Sequence, residues 1–396
     1  MILLSDAQEI EIEREFISAI LDSACRAPGS ARRIAQHAQI STVHFSYIRR
    51  GKRLPRLHTA RDIGNALPFS RERQEEWVCH VEQVWALKRR VRKRFLRLAR
   101  DSPVDHLVRE IKRLHQAALS PKQPRIAKAN YRSVKILAEH LIDYIQPNVD
   151  PLNYLELSFL LHDTLCVLDR NDQALWYGKR AHWLADSIDD PGMFHTTAAQ
   201  MDYFRVKAMR AEAVALLNLH LSRAAQELCE HLIGTDAFQR SEQFWKPQLY
   251  PILIDAIQER PRFSVTQVEN LADEARTICD GSTEPQAQLL SLLVATSLAR
   301  AYIAHKNFKD AFRILSPWQA HLNTIPGIGP LDTTGYFRTW GLFYSRRGDY
   351  GAEWRHFTSR AAHIAISCGL EYQLDELYHD AGAHAEEIMP ARSNVL

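Results

Sequence analysis

The chain has 396 residues, 46% of them apolar and 24% charged, which suits a globular protein of two or more domains and excludes a disordered one. Glycine (15) and proline (17) are sparse, favouring helix over sheet, and no uninterrupted apolar run approaches the roughly 20 residues that span a bilayer. The net charge of +3 hides an asymmetry: residues 1–100 hold 20 Lys and Arg against 11 Asp and Glu, and the remainder 30 against 36, so a polyanionic partner is expected at the front end alone.

The opening residues turn acidic by Asp6 and lack the basic-then-apolar order of a signal peptide, so a cytoplasmic location is expected, with no membrane partner. Phe16, Ile17, Ile20 and Leu21 then mark an amphipathic first helix. Ser30 is placed to cap a helix over 31–38, Gln39 and Ile40 to form a tight turn, and Ser41 to cap a second helix over 42–50 that Gly51 can end. Ile34, Ala35, Ile40, Phe45 and Ile48 make one apolar set, which Ala60, Ile63, Ala66 and Leu67 close from the C-terminal side.

Across residues 26–61 there are nine basic residues and no acidic one. With Phe45 and Ile48 inward, Thr42, Val43, His44 and Tyr47 are left on the opposite face. Their methyls and polar atoms suit thymine methyls and base edges in a major groove. Arg50, Lys52, Arg53 and Arg56 follow in a loop suited to phosphates, and Arg32 and Arg33 lie at the positive start of the preceding helix. A small bundle with a solvated basic face is the plainer alternative.

From Ser30 to Pro55, in the spacing Ser-x-x-x-Ile-Ala-x-x-x-x-Ile-Ser and onward to Gly51 and Pro55, the stretch resembles the Xre/Cro helix-turn-helix family without a gap. The resemblance implies a DNA-reading domain over residues 1–68 and double-stranded DNA as partner. Two departures stand out: the helix-opening Gln of the family is Ala31, and the Glu near the end of its reading helix is Arg49, which is expected to add charge toward DNA.

After Pro68, residues 71–100 hold no Pro or Gly, and Trp77, Val81, Val84, Trp85, Val91, Phe95 and Leu98 recur at helical steps. A long basic linker helix over 69–101 is expected. Its end, KRRVRKRFLRLAR, has eight cations in thirteen residues; it is either a second phosphate-contacting element or the solvated face of a linker or dimer helix whose apolar stripe needs a partner.

From residue 102 onward helices alternate with short Pro- and Gly-bearing breakers, and nothing alternates with a period of two. Trp340, Gly341, Tyr344, Gly348, Tyr350, Glu353 and Phe357 resemble the tetratricopeptide pattern. Ala299, Tyr302, Phe308, Ala311 and Leu315 follow the same spacing, with weaker copies anchored at Ala174 and Ala224. The fold class expected is therefore all-α, with a tetratricopeptide-like repeat domain over 102–396.

A reader of this type before such repeats resembles the receptors for short signalling peptides of the RRNPP group, arbitrium receptors among them. The resemblance implies a regulator, a homodimer with paired readers, and a short peptide or protein ligand on the concave face of the repeats. Arg300, Arg338 and Arg346 are candidates to grip its carboxylate. The alternative is an adaptor whose repeats dock a protein that the reader tethers to DNA.

No zinc-protease, nucleophile-elbow, phosphate-loop or dinucleotide motif is present, so neither an enzyme nor a metal or cofactor is expected. The six scattered cysteines form no CxxC pair and are expected to be isolated buried thiols.

Overall fold

The computed structural model of the protein describes residues 2–49, 53–101, 103–118, 124–188, 191–194, 196–240, 248–260, 262–282, 286–368 and 370–384. Among them there is no strand: the protein is all-α. It divides into two compact units, residues 1–107 and 108–396, the division falling inside one helix, α6 (Val104–Ala118).

The first unit contains α1 (Ile2–Ala24), α2 (Ser30–His37), α3 (Thr42–Arg49), α4 (Leu57–Ala66) and α5 (Arg71–Asp101). As far as Val91 the apolar stripe of α5 finds its partners here, because α5 packs along α1 and α4. Trp77, Val81, Val84, Leu87 and Val91 are buried in that seam. The Trp77 indole donates to the Ile17 carbonyl at 3.2 Å, and the Trp85 indole to the Pro55 carbonyl at 3.0 Å. At the α4 crossing Gly64 lets the helices close up: a Cβ there would lie 2.7 Å from a Val78 methyl. The helix following residue 68 is thus part of the first unit's core.

The second unit continues with α7 (Pro124–Ile142), α8 (Pro151–Val167), α9 (Asn171–Asp186), α10 (Ala198–Asn218), α11 (Ser222–Ile233), α12 (Asp236–Arg240), α13 (Tyr250–Gln258) and α14 (Val265–Asp280). It ends with α15 (Ala287–Ala304), α16 (Phe308–Leu315), α17 (Pro330–Arg346), α18 (Ala352–Cys368) and α19 (Glu371–Ala381). Neighbours in sequence pack pairwise, most extensively α9 with α10 and α17 with α18.

Four helix pairs share one turn. After α8, α10, α15 and α17 a single residue takes the left-handed conformation: Asp169, His220, Lys306 and Gly348, with φ of 52°, 58°, 60° and 73°. The next N–H then reaches back five residues to a carbonyl, as in Arg170 to Leu165 (2.8 Å) and Asn307 to Tyr302 (2.8 Å), satisfying acceptors that the helix end leaves open. Only Gly348 adopts this turn without a Cβ penalty. Five residues past the turn a small side chain packs inward in three of the four: Ala174, Ala225 and Ala311 are fully buried. In the second pair the sequence spacing pointed to Ala224, but Ala224 is exposed and Ala225 holds the position.

Helix α15 has the length and apolarity to cross a membrane, yet 61% of it is buried inside the fold. It is apolar on all sides because α13, α14, α16 and α17 surround it. Around α17 the aromatics interlock: Trp340 stacks on Phe357 at 5.1 Å, and Gly341 admits Thr358 so closely that a Cβ would meet its methyl at 2.5 Å. The cysteines are all free; Cys229, Cys279 and Cys368 are buried, Cys25 and Cys166 half-buried, and Cys79 is exposed, contrary to the expectation of buried thiols throughout.

Gly178 brings α9 against α10, where a Cβ would sit 3.1 Å from the Glu212 nitrogen, and one turn on His182 bonds the Glu212 carboxylate at 3.0 Å. That bond, aided by Asp186 and opposed by burial, holds the His182 pKa above its ordinary value. The stabilisation from protonated His182 is complete below the unfolded pKa of about 6.5 and is lost as pH rises through the higher folded value. His182→Gln is expected to cost about 1–2 kcal/mol at acid pH, where the imidazole is charged, and less at alkaline pH, where it is neutral. Urea midpoints at the two pH values check it, and an equal loss at both would contradict it.

Candidate nucleic-acid interface and helical cleft

Residues 26–61 build two short helices held at a close approach. The Ile40 N–H returns to the Ala35 carbonyl (3.0 Å) across Gln39, which has a left-handed φ of 52°. Ser41 Oγ accepts the His44 N–H at 3.0 Å and so caps α3 as its position in the sequence predicts. Ser30 does not cap α2: the N-cap is Gly29, and buried Ser30 instead accepts from Arg33 Nη2 at 3.2 Å. Phe45 and Ile48 are 1% exposed and anchor α3 against the rest of the unit.

Anchoring those two turns the remaining face of α3 outward. Val43 is 61% and Tyr47 41% exposed, Thr42 is exposed and His44 half-buried. Arg32, Arg33, Arg53 and Arg56 are exposed as well. Arg53 stacks over the Tyr47 ring at 5.6 Å, and its N–H donates to the Tyr47 carbonyl at 3.1 Å, so this cation is tied to the end of α3. Arg50 and Lys52 lie outside the described residues. Arg49 does not join this face: its Nε lies 3.4 Å from Asp22 on α1, which draws the guanidinium back onto the helix behind. The sequence read Arg49 as outward charge because Asp22 is a distant residue with no periodic relation to it.

In the second unit α10, α13, α15, α17 and α19 surround a cleft of about 420 Å³. Arg300 and Arg338 both line it, whereas Arg346 is exposed and outside it. Neither arginine in the cleft is uncommitted. Arg300 Nη1 pairs with Asp255 at 3.1 Å while its Nε donates to Thr339 Oγ1 at 3.1 Å. Arg338 bridges Glu376 at 2.5 Å and Asp380 at 2.6 Å. With Asp255, Glu259, Asp332 and Glu376 in the lining, carboxylates outnumber guanidiniums. Burial pushes the Glu259 carboxyl up against the pull of Ser222 and His220, and pushes Asp332 up against the Gly329 N–H. Asp255, Glu376 and Asp380 were missed in the sequence, where they stand 38–45 residues from the arginines they meet and no periodic pattern links them. An entering carboxylate must therefore displace an internal one.

Among the described residues no group of three or more His, Cys, Asp or Glu is placed to hold a metal ion. The fold and these two features define an all-helical protein of two units, one with an exposed α3 face and several exposed arginines, the other with a charged cleft. No known protein family matches the chain, and no curated protein matches its sequence.

Proposed function

We propose that the chain is a DNA-binding transcriptional regulator of the Xre/Cro helix-turn-helix type, whose tetratricopeptide-like helix pairs bind an effector that alters operator binding. The observation that carries this reading is the exposed face of α3: Thr42, Val43 and Tyr47 outward over buried Phe45 and Ile48, in a stretch of 36 residues with no acid. In this reading α3 enters the major groove, Thr42, Val43, His44 and Tyr47 meet base edges, and Arg32, Arg33, Arg53 and Arg56 hold phosphates. One such reader has a small interface, so a homodimer on a two-fold operator is part of the proposal.

The roles separate experimentally by selecting bound duplexes from a random pool. Arg53→Ala is expected to weaken binding to all sequences alike. Thr42→Ala or Tyr47→Ala is expected to relax preference at particular positions, by about 1–3 kcal/mol for each base no longer read. Uniform loss in all three variants would refute the assignment.

For the effector, the cleft holding Arg300 and Arg338 is the proposed site and a short peptide the proposed ligand. The peptide carboxylate would trade places with Asp255 or Glu376, and its cationic groups would pair with the acid released. Calorimetry with short synthetic peptides tests this; no heat, with duplex affinity unmoved, would count against it.

A further inference from the structure

Toward its basic end α5 is exposed at Arg89, Arg90 and Lys93, yet as far as Val91 its apolar stripe is already covered. Trp77, Val81, Val84, Leu87 and Val91 are each at most 2% exposed, packed on α1 and α4. No apolar face remains at these positions for a second helix or for insertion at a lipid surface, which an amphipathic membrane helix requires. The cations must be explained by themselves.

Two observations give them a direction. The Trp85 indole is bonded to the Pro55 carbonyl at 3.0 Å, which fixes that face of α5 against the loop carrying Arg53 and Arg56. Lys88 and Arg89 lie three and four residues further on, hence on the same face one turn along. Lys88 sits over the Trp85 ring at 5.7 Å, and exposed Arg89 Nε donates to the Trp85 carbonyl at 3.4 Å.

The second observation is what the helix tolerates. Between Glu82 and Asp101 there is no acid, and the sequence sets like charges at i,i+4 spacing, as in exposed Arg89 and Lys93. Each such pair weakens a helix, where a merely solvated face would intersperse acids and gain by as much. A polyanion laid along the helix reverses the sign.

We infer that Lys88 and Arg89 continue the phosphate-binding loop onto α5, giving a bound DNA duplex a second track of backbone contacts beside the one at α3. From Trp85 to Lys93 the helix rises about 12 Å, the axial length of about three to four base pairs, so the track flanks the segment that α3 reads. The contacts carry no sequence information; they add affinity and salt dependence. This inference rests on the DNA-binding reading above.

The test uses the full chain and a short duplex of random sequence, with affinity measured over a series of KCl concentrations. In Lys88→Gln/Arg89→Gln the slope of log K against log salt is expected to fall by about 1.8, or 0.9 for each phosphate no longer neutralised. The charge-conserving pair Lys88→Arg/Arg89→Lys should keep the wild-type slope. If the wild-type chain binds the duplex and the Gln variant shows the same slope, the inference is wrong and the DNA-binding reading stands. If the wild-type chain binds no duplex at low salt, that reading fails and the inference with it. Cosedimentation with phosphatidylserine-containing vesicles that only the Gln variant loses, with duplex binding unchanged, would overturn it in favour of a membrane surface.

Discussion

In a Trp77→Ala variant, amide hydrogen exchange across α1, α4 and α5 is expected to accelerate about a hundred- to several thousandfold, while α13 to α18 keep their protection. Trp77 is fully buried, and its ring touches the α4 crossing at Gly64 while its N–H reaches α1 at Ile17. One side chain thus ties three of the five helices in residues 1–107. Removing an aromatic of this size from a packed core costs about 3–5 kcal/mol, a large part of what a domain this small has to lose. The cavity outweighs the hydrogen bond, whose net worth is about 1 kcal/mol. Trp77→Phe, which keeps most of the volume and loses the N–H, should therefore be several-fold milder in exchange rate. A Phe variant as unstable as the Ala variant would show that the hydrogen bond to Ile17, and not the packed volume, holds the seam. Because α1 and α4 also support α2 and α3, the Ala variant should lose duplex binding along with its protection.

Replacing Arg338 by alanine is expected to destabilise the second unit by about 3 kcal/mol and to free α19 first. The guanidinium spans Glu376 and Asp380, all three side chains being only 16–22% exposed. Both acids lie on α19, so this bridge fastens α19 to α17 at the edge of the cleft. Deleting the cation leaves two half-buried carboxylates facing each other, and that uncompensated charge, more than the missing attraction, sets the cost. Arg338→Lys should recover little, because one ammonium cannot reproduce a planar two-sided bridge. Neutralising the acids as well, in Arg338→Met with Glu376→Gln and Asp380→Asn, should restore most of the stability. Exchange protection of α19 is the readout. Protection unchanged in Arg338→Ala would mean that solvent already screens the bridge.

These two positions mark the boundary of what could be read without the fold. Trp77 was legible as a core residue, since its spacing to Val81, Val84 and Val91 follows one helix face. Its partners were not, because Ile17 is sixty residues away and no pattern relates the two helices. Arg338 was legible as a charged residue at a helix pair, but its acids are 38 and 42 residues off, so that it also holds α19 could not be read from the sequence.

The local chemistry of the chain determined a good deal: the all-helical class, the cap at Ser41, the inward Phe45 and Ile48, the long α5 from Arg71, and the concentration of cations before residue 101. Each follows from interactions within a few residues, namely helical periodicity, capping and composition. Only the tertiary structure decided where α5 buries its stripe, that Arg49 turns back to Asp22, that Ala225 rather than Ala224 packs inward, and that Arg300 and Arg338 meet acids in one cleft. The physical reason is common to all four. A side chain's partner in three dimensions is set by how helices cross, and a crossing depends on the summed packing of many residues far apart in the chain, which no window along it contains.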